Sequence, residues 1–356
     1  MSTVQSAGDS RSVAVQPPGS GDGREVRPSP YAGPSILSID SGAEATAPAP
    51  PAYFGDLHLD QIVAAVTAER EEYELEAFFA KPLGDRAAVL YRHEVVVDLE
   101  EQAVRDAVEA FAAEMREARQ RLALSRKLRH VLQRQRWLVA ALGAYCEAVD
   151  RLEGRLVAAP VRSAGLSAVT EYLTGYVHST TFAALREETG VVEDGLAALR
   201  YTIHVKGAWV RVDRYESRPD LTAEVQRTFA KFKHGPVEDR RVEFRAYPEL
   251  NHVEAQILDR VAAIFPEAFS ALGDYCKRYH AALDATVLRF DRELQFYLSY
   301  LEHIEPLRAR GLPFCLPEIV SHAEQTRAAD GFDLSLAVEL GADSQVVFND
   351  FALTGP

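Results

Sequence analysis

Apolar positions recur along much of this chain at alternating steps of four and three residues. Val104, Val108, Phe111, Met115, Ala118 and Leu122 form one series, and Leu138, Leu142, Tyr145, Val149, Leu152 and Leu156 a second. Leu283, Val287, Phe290, Leu294, Tyr297, Leu301 and Ile304 form a third. Such spacing puts each set on one stripe of an α-helix. Three heptad stripes predict long helices packed side by side at shallow angles, as in bundles and coiled-coil arms. The third lies in a stretch without proline from Glu267 to Glu305 and predicts a helix from about Tyr279 to Glu305. At about 1.5 Å per residue that helix is roughly 40 Å long, a lever-like dimension. Pro306 then disrupts or ends it, and Gly311-Leu312-Pro313 turns the chain away.

One segment changes period. Tyr201 to Asp213 is β-branched and alternating around Gly207-Ala208, a Gly-first pair that suits a two-residue hairpin turn. Pairing about that turn sets Val205 opposite Val210 and Ile203 opposite Val212. The other face carries His204, Lys206, Trp209 and Arg211, a combination compatible with a phosphate backbone and equally with an exposed sheet face. Residues 232–250 are irregular, and Asn251 to Phe265 predicts a further helix. Phe332 to Ala337 predicts a short element and Val346-Val347-Phe348 a strand. Residues 1–52, dominated by Ser, Gly, Pro and Ala, predict a disordered tail, in which Ser35-Ile36-Leu37-Ser38-Ile39 is taken as incidentally apolar, the alternative being that it docks elsewhere on the chain.

Composition narrows the class. Of 356 residues 47% are hydrophobic, which excludes disorder throughout. No apolar run approaches the roughly 18–20 residues of a membrane span, so a soluble cytoplasmic protein is expected. Cys146, Cys276 and Cys315 are odd in number and far apart, which fits a reducing compartment. The net charge of −14 argues against non-specific coating of nucleic acid. It averages over a basic block, however: between Glu117 and Glu147 there is no acidic residue, while Arg119, Arg121, Arg126, Lys127, Arg129, Arg134 and Arg136 fall there. That block suits a DNA-facing stripe or a face paired with acidic neighbours such as Glu69-Arg70-Glu71-Glu72.

Catalytic patterns are absent. There is no Gly-Lys dipeptide for a phosphate-cradling loop, no Asp-Asp pair for Mg²⁺-diphosphate chemistry, and Asp291-Arg292-Glu293 is too sparse to replace one. Cys276 with His280, and His252 with Glu254, each supply two ligands where a tetrahedral metal site needs three or four. No metal site and no catalytic residue is assigned.

Several short segments, in order and spacing, resemble the MutS family of DNA mismatch-repair ATPases, in particular a compact bacterial MutS-related subfamily. Lys81-Pro82-Leu83-Gly84-Asp85-Arg86 leading to Tyr91-Arg92-His93-Glu94-Val95-Val96-Val97-Asp98-Leu99 resembles the start of the family's helical core. The helix from Tyr279 and the following Leu316-Pro317-Glu318-Ile319 resemble its returning lever. Val346-Val347-Phe348-Asn349-Asp350 resembles the segment leading into its ATPase domain. Phe290-Asp291-Arg292-Glu293-Leu294-Gln295-Phe296-Tyr297 and Glu249-Leu250-Asn251-His252-Val253-Glu254-Ala255 add to the likeness, which spans about Tyr53 to Pro356.

The resemblance implies helical arms that embrace double-stranded DNA in a homodimer, moved by an ATPase that uses ATP and Mg²⁺. No mismatch-reading domain precedes the core, and the hairpin stands where a longer DNA clamp is inserted. The ATPase domain is expected elsewhere, in cis or in trans. Thr354-Gly355-Pro356 matches the opening of the family's phosphate loop, but Asn349-Asp350 leaves little room for the strand such a loop must follow, so the match is taken as coincidental. The expected fold is mainly α: a long-helix bundle with lever or coiled-coil-like helices and a small β-hairpin insertion. The expected divisions are tail 1–52, helical core 53–200, insertion 201–250, lever 251–330 and the start of an ATPase domain 331–356. Candidate DNA contacts are Arg119, Arg121, Arg126, Lys127, Arg129, Lys206, Trp209 and Arg211; nucleotide-adjacent candidates are Val346, Val347 and Asn349. The expected role is to couple the absent ATPase to DNA, with no enzymatic activity of this chain alone. The alternative is a free-standing helical scaffold or self-association module without a DNA role.

Overall fold

The computed structural model describes residues 33–39, 50–207, 209–215, 249–320, 325–340 and 345–354. The remainder of the expected tail and most of the irregular insertion lie outside the described residues. Short helices α1 (Tyr53–Asp56), α2 (Leu59–Thr67) and α3 (Glu76–Ala80) precede α4 (Arg86–Glu100). The long pair α5 (Gln102–Lys127) and α6 (Val131–Ala158) follows, then α7 (Ala164–Val177) and α8 (Thr180–Ala197). Strands β1 (Tyr201–Lys206) and β2 (Trp209–Arg214) form a hairpin. After it come α9 (His252–Ile264), α10 (Pro266–Tyr279) and α11 (Ala285–Ala309), and finally β3 (Gln325–Gly331), α12 (Leu334–Glu339) and β4 (Asn349–Thr354). Among the described residues the architecture is mainly helical with two small antiparallel sheets. Among the described residues no helix is long and apolar enough to cross a membrane.

The heptad stripes are the core. Val104, Val108, Phe111 and Met115 of α5 are at most 1% exposed, as are Leu142, Tyr145, Val149, Leu152 and Leu156 of α6. These two stripes face one another across a helical hairpin closed at Leu128, itself buried. Helix α11 lies against α5, with the Phe111 and Phe290 rings 5.7 Å apart. Each such large apolar side chain contributes about 1.5–3 kcal/mol on burial, so the stripes dominate the stability of the bundle.

Two expectations about α11 need correction. The helix starts at Ala285 rather than near Tyr279, because Asp284 caps it: its Oδ1 accepts from the Thr286 and Val287 amides at 2.9 and 3.0 Å. Pro306 does not end it; the helix carries this proline inside its last turns and runs to Ala309. The stop is at Gly311, whose φ of +85° suits the left-handed residue of a Schellman motif. The Leu312 amide donates to Leu307 O and the Gly311 amide to Arg308 O, and the Leu312 and Leu307 side chains are buried in one cluster. The chain beyond is extended, and Arg86 Nε donates to Ile319 O at 2.7 Å, tying this segment to the start of α4.

The hairpin has the expected register, Val205 opposite Val210 and Ile203 opposite Val212, with Gly207 at φ +59°. Near the C-terminus the expected strand is displaced. Val346, Val347 and Phe348 form no strand; β4 begins at Asn349 and pairs with β3 around an irregularity between Ala328 and Gly331. A six-residue strand lies between Asn349 and Thr354, but its residues 349–353 are exposed, so it is not the buried strand that a phosphate loop must follow. Residues 355–356 lie outside the described residues.

The tail expectation fails at residues 33–39. Ile36 is fully buried and Leu37 is 4% exposed, both inside the main core.

Candidate nucleic-acid interface

The turn between α5 and α6 concentrates positive charge for local reasons. Arg126 and Lys127 occupy the last turn of α5, where cations offset the partial negative charge of the helix end. Leu128 plugs into the core, leaving Arg129 with a side chain 92% exposed. Arg126 and Lys127 are exposed and make no ion pair among the described residues.

The fold brings the hairpin to this same end. Arg136 near the start of α6 approaches Glu193 near the end of α8 at 3.5 Å, so α8 delivers the chain to the hairpin beside the α5–α6 turn. Helix α9 links the two: its Asp259 Oδ1 is 3.1 Å from His130 Nε2, and Arg129 Nε is 3.4 Å from Glu249 just before it. The other end of α9 holds β2, where Arg214 Nη2 donates to Ile264 O at 2.7 Å and its guanidinium lies over the Phe265 ring. Trp209, 81% exposed, and Lys206 face each other across the hairpin beside its turn. The base of the hairpin and the α5–α6 turn, nearly eighty residues apart in sequence, are thus joined through α9.

The candidate residues divide into exposed and structural ones. Arg126, Lys127, Lys206 and Trp209 are exposed, and Arg129 and Arg211 are exposed but paired, Arg211 Nε with Asp213 at 2.8 Å. Arg121 pairs with Glu117 and donates to Ala140 O at 3.1 Å, bracing α5 on α6. Arg119 is turned inward: it meets Asp291 at 2.6 Å and lies 4.7 Å from the centre of the Tyr73 ring. As a DNA-contacting residue it is a correction, because its charge is committed to a carboxylate with no solvent exposure. Beside it Arg116, Arg119 and Arg126 share a cleft of about 710 Å³ with Glu69, Glu72 and Glu302, so the acidic neighbourhood anticipated for the basic block is real.

The buried carboxylates went unnoticed as a group in the sequence. Burial raises the pKa of Asp291, while Arg119 pulls it back. Tyr73, packed beside this pair, is pushed up to about 12 by burial and then by Asp291. Glu293 is raised by burial against hydrogen bonds from Ser35 and Ile36. Asp98 is 2% exposed and accepts from the Arg162 and Ser163 amides, the latter at 2.7 Å, ahead of α7. The available signal was that Asp291 and Glu293 flank the third apolar stripe on opposite sides, as on a helix enclosed all round.

The nucleotide-adjacent candidates lie elsewhere. The C-terminal end of α11 meets the start of α5, where Arg308 Nη2 is 3.2 Å from Glu100. That is the length of α5, about 39 Å at 1.5 Å per residue, from the cationic turn. Here Val346 is half-buried against Leu307, Leu312 and Ala337, while Val347 is 72% exposed and Asn349 opens β4 opposite Gly331. Phe348 and Phe332 meet edge to face at 6.1 Å.

The two-ligand pairs do not grow into metal sites. Cys276 is buried with its thiol toward Gln135 O, and His280 lies past the end of α10 with Nδ1 against Lys277 O. Glu254 is used in a capping box, accepting from the Asn251 amide at 2.8 Å. Among the described residues no three His, Cys, Asp or Glu side chains converge as a metal site. No family model, curated protein or solved structure matches this chain.

Proposed function

We propose that this chain is the core and lever of a MutS-related protein that acts on double-stranded DNA as a homodimer. Its cationic end meets the duplex, and its β3–β4 end docks an ATPase domain supplied in cis or in trans. The observation that carries this reading is the polarity of the bundle. Exposed Arg126, Lys127 and Arg129 share one end with the helix α9 that holds the base of the Lys206- and Trp209-bearing hairpin, and exposed Phe348, Phe351 and Leu353 lie at the other. Cations suit phosphate contact and the aromatic ring suits base or sugar contact. Apolar residues on a small sheet suit a protein neighbour. Between them α5 and α11 are joined by the buried Arg119–Asp291 pair, so displacement at one end is carried to the other by a stiff element.

This chain's own residues do not fit an ATP–Mg²⁺ site. It has no Gly-Lys dipeptide, and Val346 packs into an apolar cluster instead of standing open to a base. No chemical step is assigned to the described residues. They bind, hold and transmit, and the nucleotide belongs to the ATPase domain.

The test is titration of the full chain with a labelled duplex over a salt series. Wild type is expected to bind with a steep salt dependence, and Arg126→Glu with Lys127→Glu to lower the slope by about 1 per lost phosphate contact. Trp137→Phe leaves Trp209 as the only indole, whose emission should change on binding. Absence of salt-dependent binding sinks the DNA reading. The competing scaffold reading draws on the carboxylates Glu193, Asp213, Glu249 and Asp259, which pair with cations at the same end. Sedimentation that shows self-association without DNA binding would favour it.

A further inference from the structure

Residues 33–39 are held in the manner of a bound peptide. Five consecutive carbonyls each accept from a side chain of the bundle rather than from backbone. Arg289 of α11 donates to Gly33 O and Pro34 O, Tyr91 of α4 to Ser35 O at 2.6 Å, Tyr297 of α11 to Ile36 O at 2.7 Å, and Arg92 of α4 to Leu37 O at 2.9 Å. The carboxylate of Glu293 takes the Ser35 hydroxyl on one oxygen and the Ile36 amide on the other, both at 2.8 Å. Ser35 Oγ accepts in turn from the Leu37 and Ser38 amides, which curls the segment over the Ile36 side chain.

The fit is selective for sequence. Ile36 and Leu37 fill the core. At Gly33 an added Cβ falls 2.6 Å from Thr286 Cγ2, so no other residue sits there without displacing a side chain at the capped start of α11. An open cleft of about 930 Å³ runs along the segment, walled on its far side by Ala168, Tyr172 and Tyr176 of α7. The segment fastens α4 to α11 through its own backbone.

We propose that the groove formed by Tyr91, Arg92, Arg289, Glu293 and Tyr297 is a sequence-selective peptide-binding site whose occupant is this chain's own Gly33-Pro34-Ser35-Ile36-Leu37 segment, and that it accepts the same segment in trans. The site recognises a curled peptide by its carbonyls, with Gly, Ser and Ile supplying selectivity. This inference is independent of the DNA reading, since every contact used is between described residues of the bundle.

The test uses the full chain carrying Gly33→Val, which dislodges the resident segment while leaving the groove intact. A labelled peptide of residues 31–41 is titrated by fluorescence anisotropy. It should bind the G33V chain at least about tenfold more tightly than wild type, whose groove is occupied, by mass-action competition. Peptides carrying Ser35→Ala or Ile36→Asp should lose that affinity. Equal, weak binding by both chains with folded circular dichroism, or indifference to the peptide changes, overturns the proposal. Should G33V fail to fold, hydrogen exchange on wild type decides. The Ile36, Leu37 and Ser38 amides must exchange at least about tenfold more slowly than in the free peptide, and free-peptide rates in the folded chain overturn it.

Discussion

Arg119 of α5 reaches across the bundle to Asp291 of α11, its Nη2 standing 2.6 Å from a carboxylate oxygen whose side chain has no solvent exposure. The residues are 172 positions apart, and their pairing ties the two helices together.

Arg119→Ala leaves that carboxylate buried without its charge partner, at a cost of about 3 kcal/mol in urea unfolding. A double-mutant cycle with Asp291→Ala should return a coupling above about 1 kcal/mol; a value near zero removes the pair from the account. The pH dependence has a definite sign. Burial holds the native pKa of Asp291 above its ordinary value, so its ionised form is penalised in the folded state. The penalty is in full force above the raised native value and is relieved as pH falls from there toward the unfolded pKa. The deficit of R119A should therefore shrink on acidification from neutral pH.

Asp98 supplies the N-terminal partner for the segment opening α7, accepting from two successive amides. Asp98→Ala should lower stability by about 2 kcal/mol, the range for hydrogen bonds to a charged group. A change in thermal midpoint no larger than that of an exposed substitution such as Glu101→Ala would contradict this.

Tyrosine ionisation should set the alkaline limit of the fold. Burial pushes Tyr73 and Tyr176 up to about 12 and raises Tyr145 and Tyr297 as well. The unfolded chain ionises near the ordinary value of about 10, so stability is intact below that pH and is lost as pH rises from there toward about 12. Tyrosinate absorbance from these residues should rise together with loss of helical dichroism. A smooth rise at about pH 10 with the helix intact would show them exposed.

The cysteines should react in a fixed order. Cys315 is exposed, whereas Cys146 and Cys276 are buried and burial raises their thiols to about 12 and about 11. Thiolate being the reactive form, a maleimide at neutral pH should label one site in the native chain and three after denaturation. Mass spectrometry of the digest identifies the sites.

Much of this architecture was legible locally. A helix buries one side of a 3.6-residue repeat and a hairpin pairs about its turn, so the stripes of α5, α6 and α11 and the register of β1 and β2 followed from spacing alone. The turn at Gly311 followed from glycine's tolerance of positive φ. The helix start at Asp284 and the continuation through Pro306 did not, because capping and last-turn geometry depend on a few atoms that composition does not order.

Of the candidate interface, the sequence by itself determined which residues are charged, aromatic or apolar, and their order. Only the tertiary structure decided where each goes. Arg119 and Arg126 belong to one basic run, yet one is spent on a buried carboxylate and the other is exposed, because the partner of Arg119 comes from a helix far along the chain. The base of the hairpin and the α5–α6 turn are joined through α9 because α8 runs back beside α6. Ser35 and Ile36 look like tail by composition; they are core because Glu293, 258 positions beyond Ser35, stands ready to accept their hydrogen bonds. Local periodicity reports that a face is buried, whereas the identity of what buries it is a property of the assembled chain.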